Sequence, residues 1–299
     1  MSETMKLKFI EVDTKNKEAL PPKPFRIGSH GYEPREEPQH TILIPENYWL
    51  AETPVTQGQI RVWDEGKQRD SYERWPAFDP KPAFEPHKNR FPSTPNHPAE
   101  MVSWWQAILF CAWFTEAYRK QLPPGYSACL PTEAEWEVAC RAGTSTEYYT
   151  GDGLAALYEA GWFNTKDEPL DTRPIDRPQP VGKLARNDLG LADMHGNVWE
   201  WCHDLWDIRA YRNRIDGATD PGWETRQNEW GPGWANLFKT LKVLRIVRGA
   251  SYSERYQFCR SAYRGRFRPS NKNHIVGFRL CLAKIPHYTP APHSHGQPT

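Results

Sequence analysis

Apolar residues recur at helical spacing most clearly behind Ser103, where Trp105, Ile108, Leu109, Ala112 and Trp113 share one face. The spacing predicts a helix from 104 to about 121, stopped by Pro123-Pro124-Gly125. Thr132 followed by Glu135 is a capping box, so a second helix starts there and ends near Gly143, a residue suited to the left-handed terminal position. Thr56 with Gln59 repeats the pattern and predicts a short helix over Gln57–Glu65. Residues 25–29 and 40–49 alternate as strands do, and Trp199 and Trp201 fall on one face of a third strand. Residues 69–100 carry Pro, His and aromatics without periodicity and read as a long ordered loop, and 207–241 as a Trp-rich loop that shapes a pocket or an interface. Two helices separated by irregular segments and followed by short antiparallel strands make an α+β domain.

Composition changes this picture in one respect. Fourteen Trp and 28 Pro stand beside a hydrophobic content of 38%, so aromatic anchors, more than aliphatic helices, must hold much irregular backbone. The 38 basic and 37 acidic residues leave a net charge of +1, which gives no electrostatic footprint for nucleic acid or an anionic membrane. The basic cluster between 245 and 279 reads as a solvated face or a binding rim. Glu133, Glu135 and Glu137 read as charges favoured at a helix start by the macrodipole. Six cysteines lie scattered without C-x-x-C spacing, and the first residues carry no apolar leader, so free buried thiols in a reduced, cytoplasmic setting are expected. Residues 1–24 read as an N-terminal arm, 25–284 as one domain, and 285–299 as a disordered tail.

The densest chemistry sits in Gly190-Leu191-Ala192-Asp193-Met194-His195-Gly196-Asn197-Val198-Trp199-Glu200-Trp201. Asp193, Asn197 and Glu200 offer hard oxygen ligands, and the glycines let backbone carbonyls converge, as a Ca²⁺ shell requires. A tight turn leading into a Trp-rich core strand fits the same residues. His195 and His203 in such surroundings read as hydrogen-bonded core residues.

This segment resembles the G-L-x-D-M-x-G-N-V-W-E-W stretch of the formylglycine-generating enzyme (sulfatase-modifying factor) family. Phe25-Arg26-Ile27-Gly28-Ser29, Leu130-Pro131-Thr132-Glu133-Ala134-Glu135-Trp136-Glu137, Arg248-Gly249-Ala250-Ser251-Tyr252, Cys259-Arg260-Ser261-Ala262-Tyr263-Arg264 and Gly277-Phe278-Arg279-Leu280 are similar to further motifs of that family, in its order. The resemblance implies an irregular, loop-rich, C-type-lectin-like fold. It also implies a structural Ca²⁺ held by the Asp193 and Glu200 side chains and the Gly196 and Val198 carbonyls. Around Asn164 and Asp167, where relatives place another ion, few oxygen ligands remain.

Function turns on 245–283. The family's oxidases hold Cu(I) with two cysteines five residues apart, because two soft thiolates suit that ion and a carboxylate does not. Counted from Gly249-Ala250-Ser251 the two positions are Glu254 and Cys259, and counted back from Gly277 the second is Tyr256. Either way the pair is absent, which argues against a formylglycine-generating oxidase. Two readings stand. In the first, this is a ligand-recognition protein that binds an unidentified protein or small molecule through 251–276, with Tyr252, Glu254, Arg255, Tyr256, Phe258, Arg264, Arg266, Phe267, Arg268, Asn273 and His274 as contact residues. Some relatives diversify this face by retroelement mutagenesis, and Glu254 and Gln257 speak against that here. In the second, it is an oxidoreductase like those that mature siderophore chromophores, with copper or iron near Cys259, His195 or His203, and Arg264 or Arg266 placing an anionic substrate.

Overall fold

The structure is a computed structural model that describes residues 7–16, 19–65, 88–91, 94–166, 175–229 and 243–285. Along the chain lie β1 (Phe9–Val12), β2 (Lys15–Asn16), β3 (Ala19–Pro22), β4 (Pro24–Ile27), β5 (His40–Leu43), β6 (Tyr48–Ala51), α1 (Gln57–Glu65), α2 (Trp104–Tyr118), β7 (Tyr126–Cys129) and α3 (Glu133–Arg141). There follow α4 (Gly153–Ala160), β8 (Gly161–Trp162), β9 (His195–Gly196), β10 (Trp199–Leu205), α5 (Ala210–Asn213), β11 (Ala218–Thr219), α6 (Pro221–Glu229), β12 (Arg245–Arg248), β13 (Gly265–Phe267), β14 (Val276–Gly277) and β15 (Cys281–Lys284). The α+β class is as the sequence patterns predict.

One sheet has the order β1-β6-β15-β7 and is antiparallel throughout, so the strand of the N-terminal arm is stitched into the domain beside the last strand. A second has the order β13-β12-β10-β14, and a third β11-β5-β4. The expectation of antiparallel strands holds only in part: β10/β14, β11/β5 and β8/β9 are parallel pairs, each two residues long. Connections that return across the domain, rather than hairpins, create them.

Both predicted capping boxes form, and an unpredicted one, of Ser103 and Gln106, opens α2. Thr132 and Glu135 close the predicted one at α3, and Ala142 and Gly143 end α3 at φ 47° and 94°. Thr56 and Gln59 exchange the same bonds ahead of α1. Helix α2 is buried over most of its circumference, with Trp104, Phe110 and Phe114 fully enclosed, so it is a core helix and not an amphipathic surface one. The 207–241 segment is not a loop where it is described. It supplies α5, β11 and α6, and Arg226 of α6 forks onto Glu135 at 2.5 and 2.6 Å. Most of the 69–100 loop and residues 286–299 lie outside the described residues.

The core is held by arginine as much as by tryptophan. Glu133 and Glu137 are not surface charges at a helix start, because α3 is buried along its whole length. Arg264 grips Glu133 with two bonds of 2.6 and 2.9 Å, Arg248 reaches it at 3.4 Å, and Arg214 lies 3.8 Å away. Glu137 takes Arg248, Arg141, the Tyr211 hydroxyl and the Gly28 amide. Burial works to raise both carboxyls, yet the arginines hold them below the ordinary range. The 245–279 basic cluster is therefore divided: Arg245, Arg248, Arg264 and Arg279 are all 0% exposed, while Arg255, Arg266 and Arg268 face solvent.

Candidate functional site

The Gly190–Trp201 segment enters β9 and β10 through four left-handed residues, Gly190 at φ 92°, Asp193 at 57°, Gly196 at 86° and Asn197 at 64°. Asn197 acts as a backbone substitute: its amide accepts from Gln179 N and donates to Gln179 O. Glu200 projects from β10 between Arg279, which donates at 2.8 and 3.0 Å, and the Trp136 indole at 2.7 Å. Arg279 also donates to the carbonyls of Ala51, Glu52 and Ala192, tying three segments together.

Asp193 is different. Its Oδ2 accepts from Gly182 N, while its buried Oδ1 has no hydrogen-bond partner among the described residues. Burial, with Glu200 adding to it, pushes the carboxyl up to about 6. An orphaned carboxylate oxygen near a second carboxylate, in a turn of left-handed residues, fits a hard cation, although Glu200 must share its oxygens with Arg279. Among the described residues no group of three or more His, Cys, Asp or Glu side chains could hold a metal, so the backbone would have to complete any shell. Asn164 spends its side-chain oxygen on Lys166 N, and Asp167 lies outside the described residues.

His195 is a satisfied core residue. Its Nδ1 donates to Cys259 O at 2.7 Å, its Nε2 accepts from Tyr149 N at 3.1 Å, and burial lowers its pKa to about 3, so the ring is neutral. His203 is buried beneath Trp104. Cys259 is 0% exposed, and burial, followed by the Glu254 charge, raises its thiol pKa far above the usual value. All six cysteines are free and buried, as expected.

The 251–276 residues divide into three groups. Arg264 leaves the contact face altogether, because Glu133 holds it inside. Arg255, Arg266 and Arg268 are exposed, with Tyr256, Phe258 and Phe267 half-buried beside them, and Arg266 lies over Trp206 at 4.7 Å. Glu254 is half-buried, and its carboxylate accepts from the Trp199 indole at 3.4 Å. Tyr252 and His274 form a separate group: the hydroxyl lies 2.8 Å from Nδ1, and Phe91 meets both rings edge-on. Asn273 fixes that group through its carbonyl, which accepts from Met101 N. The sequence reading missed Phe91 and Glu100, which complete this group. Neither shows periodicity, and the one available signal is a carboxylate placed three residues ahead of the capping Ser103.

Among the described residues no helix is long and apolar enough to cross a membrane.

Comparison with known proteins places this geometry. The mouse formylglycine-generating enzyme is 26% identical over 205 residues, covering 64% of this chain and 45% of its own length, and the chain spans about half the length of the formylglycine-generating enzymes it matches. Among solved structures, variable protein 1 of Treponema denticola superposes with a TM-score of 0.64 at 21% identity, covering 92% of this chain and 94% of that one. PvdO from Pseudomonas aeruginosa superposes with a TM-score of 0.61 at 22% identity, covering 88% and 92%. At these identities the structures share the fold, the C-type-lectin-like scaffold that the motifs imply. The sulfatase-modifying factor enzyme 1-like domain matches residues 11–284, and the chain therefore belongs to that family.

Proposed function

We propose that this chain is a ligand-recognition protein on the formylglycine-generating-enzyme-like scaffold, with its contact surface in 251–276. One observation carries the reading. Counted from Gly249-Ala250-Ser251, the positions where the family's oxidases hold two thiolates carry Glu254, engaged by the Trp199 indole, and the sealed thiol of Cys259; counted back from Gly277 the second is Tyr256, and the pair is absent either way. A carboxylate and one buried, protonated thiol do not make the linear two-sulfur site that Cu(I) takes. Around this point the exposed Arg255, Arg266 and Arg268, interleaved with half-buried aromatics, have the composition of binding anchors. The test is to compare wild-type protein with an Arg255→Ser/Arg266→Ser/Arg268→Ser variant on arrays of glycans and peptides. Ligands retained by the first and lost by the second are expected. Conversion of a cysteine peptide to its formylglycine form, followed by mass spectrometry with copper supplied, would overturn the reading.

Ca²⁺ belongs to the same reading as a brace for the turn, held by the Asp193 and Glu200 carboxylates with the Gly196 and Val198 carbonyls. It supplies rigidity and no chemistry. Adding Ca²⁺ to chelator-treated protein at about 100 times its Kd should stabilise it by ~2.7 kcal/mol and raise Tm by roughly 5 °C or more. Asp193→Asn should abolish the shift, and an unchanged wild-type Tm would remove the ion from the account.

The oxidoreductase reading is the second one, favoured by the hydrogen-bonded Tyr252 and His274, which could pass a proton. Stoichiometric copper or iron in protein purified after loading would promote it.

A further inference from the structure

The segment around Glu100 is fixed on both sides. Ala99 N donates to Val55 O at 2.8 Å, Met101 N donates to Asn273 O at 2.9 Å, and Met101 takes the left-handed φ of 61°. Glu100 N bonds to Asn89 Oδ1, and Gly277 leaves no room for a Cβ, which would sit 2.4 Å from Ala99 O. The side chain of Glu100 is thereby turned inward and is 0% exposed. Its Oε1 accepts from Phe91 N at 2.8 Å, and its Oε2 has no hydrogen-bond partner among the described residues. Tyr252 and His274 lie beside it, each met edge-on by Phe91 with ring centroids 6.2 and 5.8 Å away. Arg90, Arg177 and Asp176 are exposed around the rim: Arg177 lies over the Phe91 ring at 6.0 Å, and the Arg90 backbone and charge act on the carboxyl group, yet neither arginine bonds to Oε2.

A carboxylate oxygen withdrawn from water without a donor costs free energy that a ligand can return. We propose that Glu100 Oε2 anchors a primary alkylammonium group of the ligand, with the rings of Phe91 and Tyr252 beside it. This rests on the recognition reading and names the ligand's chemistry. Ionised carboxylate only accepts, so its partner must donate, and an ammonium brings three donors together with the charge that a buried anion needs. Aromatic faces favour the same cation. A hydroxyl would satisfy the oxygen without adding to the weak compensation that Arg90 gives from the rim, and an anion would be repelled.

The experiment is an NMR titration of the full chain at pH 7.5 with n-butylammonium, Nα-acetyl-lysine methylamide, the Nε-acetylated form of that lysine, and n-butanol. Both ammonium probes should bind saturably and the two uncharged ones should not. Tighter binding of the lysine probe assigns the site to a peptide, and equal binding assigns it to a small amine. Glu100→Gln keeps the acceptor for Phe91 N and should weaken ammonium binding at least about tenfold, the loss expected of a charge-assisted hydrogen bond. Glu116→Gln on the far surface of α2 should leave it unchanged. Should the Gln variant fail to fold, Tyr252→Leu must show a loss of the same sign. Failure of both ammonium probes, equal binding of butanol, or undiminished binding by Glu100→Gln overturns the assignment. A ligand that needs Arg255, Arg266 and Arg268 but is indifferent to Glu100→Gln overturns it while leaving the recognition reading intact. Formylglycine formation removes that reading instead.

Discussion

Glu133→Gln should cost about 3–5 kcal/mol, enough to leave a protein of ordinary stability close to unfolding at 25 °C. The carboxylate is the shared counter-ion of three guanidinium groups, those of Arg264, Arg248 and Arg214. None of these can turn to water, since Arg264 and Arg248 are 0% exposed and the Arg214 side chain is 9% exposed. A glutamine of the same shape keeps the volume and removes the charge, so three buried cations then face one another with Glu137 left beside Arg248 and, near Arg214, the Asp204 and Asp220 carboxyls that burial pushes toward their neutral forms. The pH dependence has a definite sign. Because Glu133 and Glu137 have depressed folded-state pKa values, their contribution is present above the ordinary carboxylate pKa and is lost as pH falls through the lower folded values. Wild-type protein should therefore destabilise on acidification more steeply than the variant. Urea unfolding monitored by tryptophan fluorescence checks the magnitude, with Glu116→Gln as the reference. That residue pairs with Arg119 where both side chains are more than 40% exposed, and its loss should be at most about 1 kcal/mol. A Glu133→Gln cost of that same size would mean that the arginines find other partners and that the cluster does not hold the core.

The same cluster shows where the sequence was silent. Helix starts were legible because a capping box is local: Thr56 with Gln59 and Thr132 with Glu135 lie three residues apart and satisfy each other's amides. The arginine partners were not, because Glu133 lies 131 residues from Arg264 and 115 from Arg248. A basic run on short strands reads as solvated unless one knows that α3 covers it. The site divides in the same way. The loss of the cysteine pair was visible by counting along one segment, whereas Glu100, Phe91, Tyr252 and His274 meet through contacts as distant as 183 residues, between Phe91 and His274. Arg264 was misplaced for that reason: the motif that marked it as part of the 251–276 face contains nothing about Glu133.

Gly196→Ala should be the most damaging single-methyl change in the central turn, at roughly 3 kcal/mol or more. The sequence suggests that this glycine lets a carbonyl turn toward an ion, but the packing gives a stronger reason. A Cβ at this position would sit 1.9 Å from the carbonyl oxygen of Trp162 and 2.7 Å from its carbon, and φ is 86°. Backbone stands on the other side, so no side chain can swing away. Trp162 pairs with Gly196 in the parallel β8/β9 ladder, and its carbonyl accepts from Asn197 N at 2.8 Å. Separating them would break that bond and disturb the Gly196 amide, which donates to Gly249 O at 2.6 Å. It would also displace His195 and Asn197, which sit on either side of the glycine and bond to Cys259 O and to Gln179. Gly125→Ala separates strain from crowding. It has φ 79° with nothing within 4 Å of the added methyl, so it should cost only the left-handed penalty of about 1 kcal/mol. Chemical denaturation of the two variants in the presence of chelator isolates packing from any ion. If Gly196→Ala then loses no more than Gly125→Ala, the close approach of Trp162 is not what the glycine is for, and the carbonyl-turning role is the one left standing.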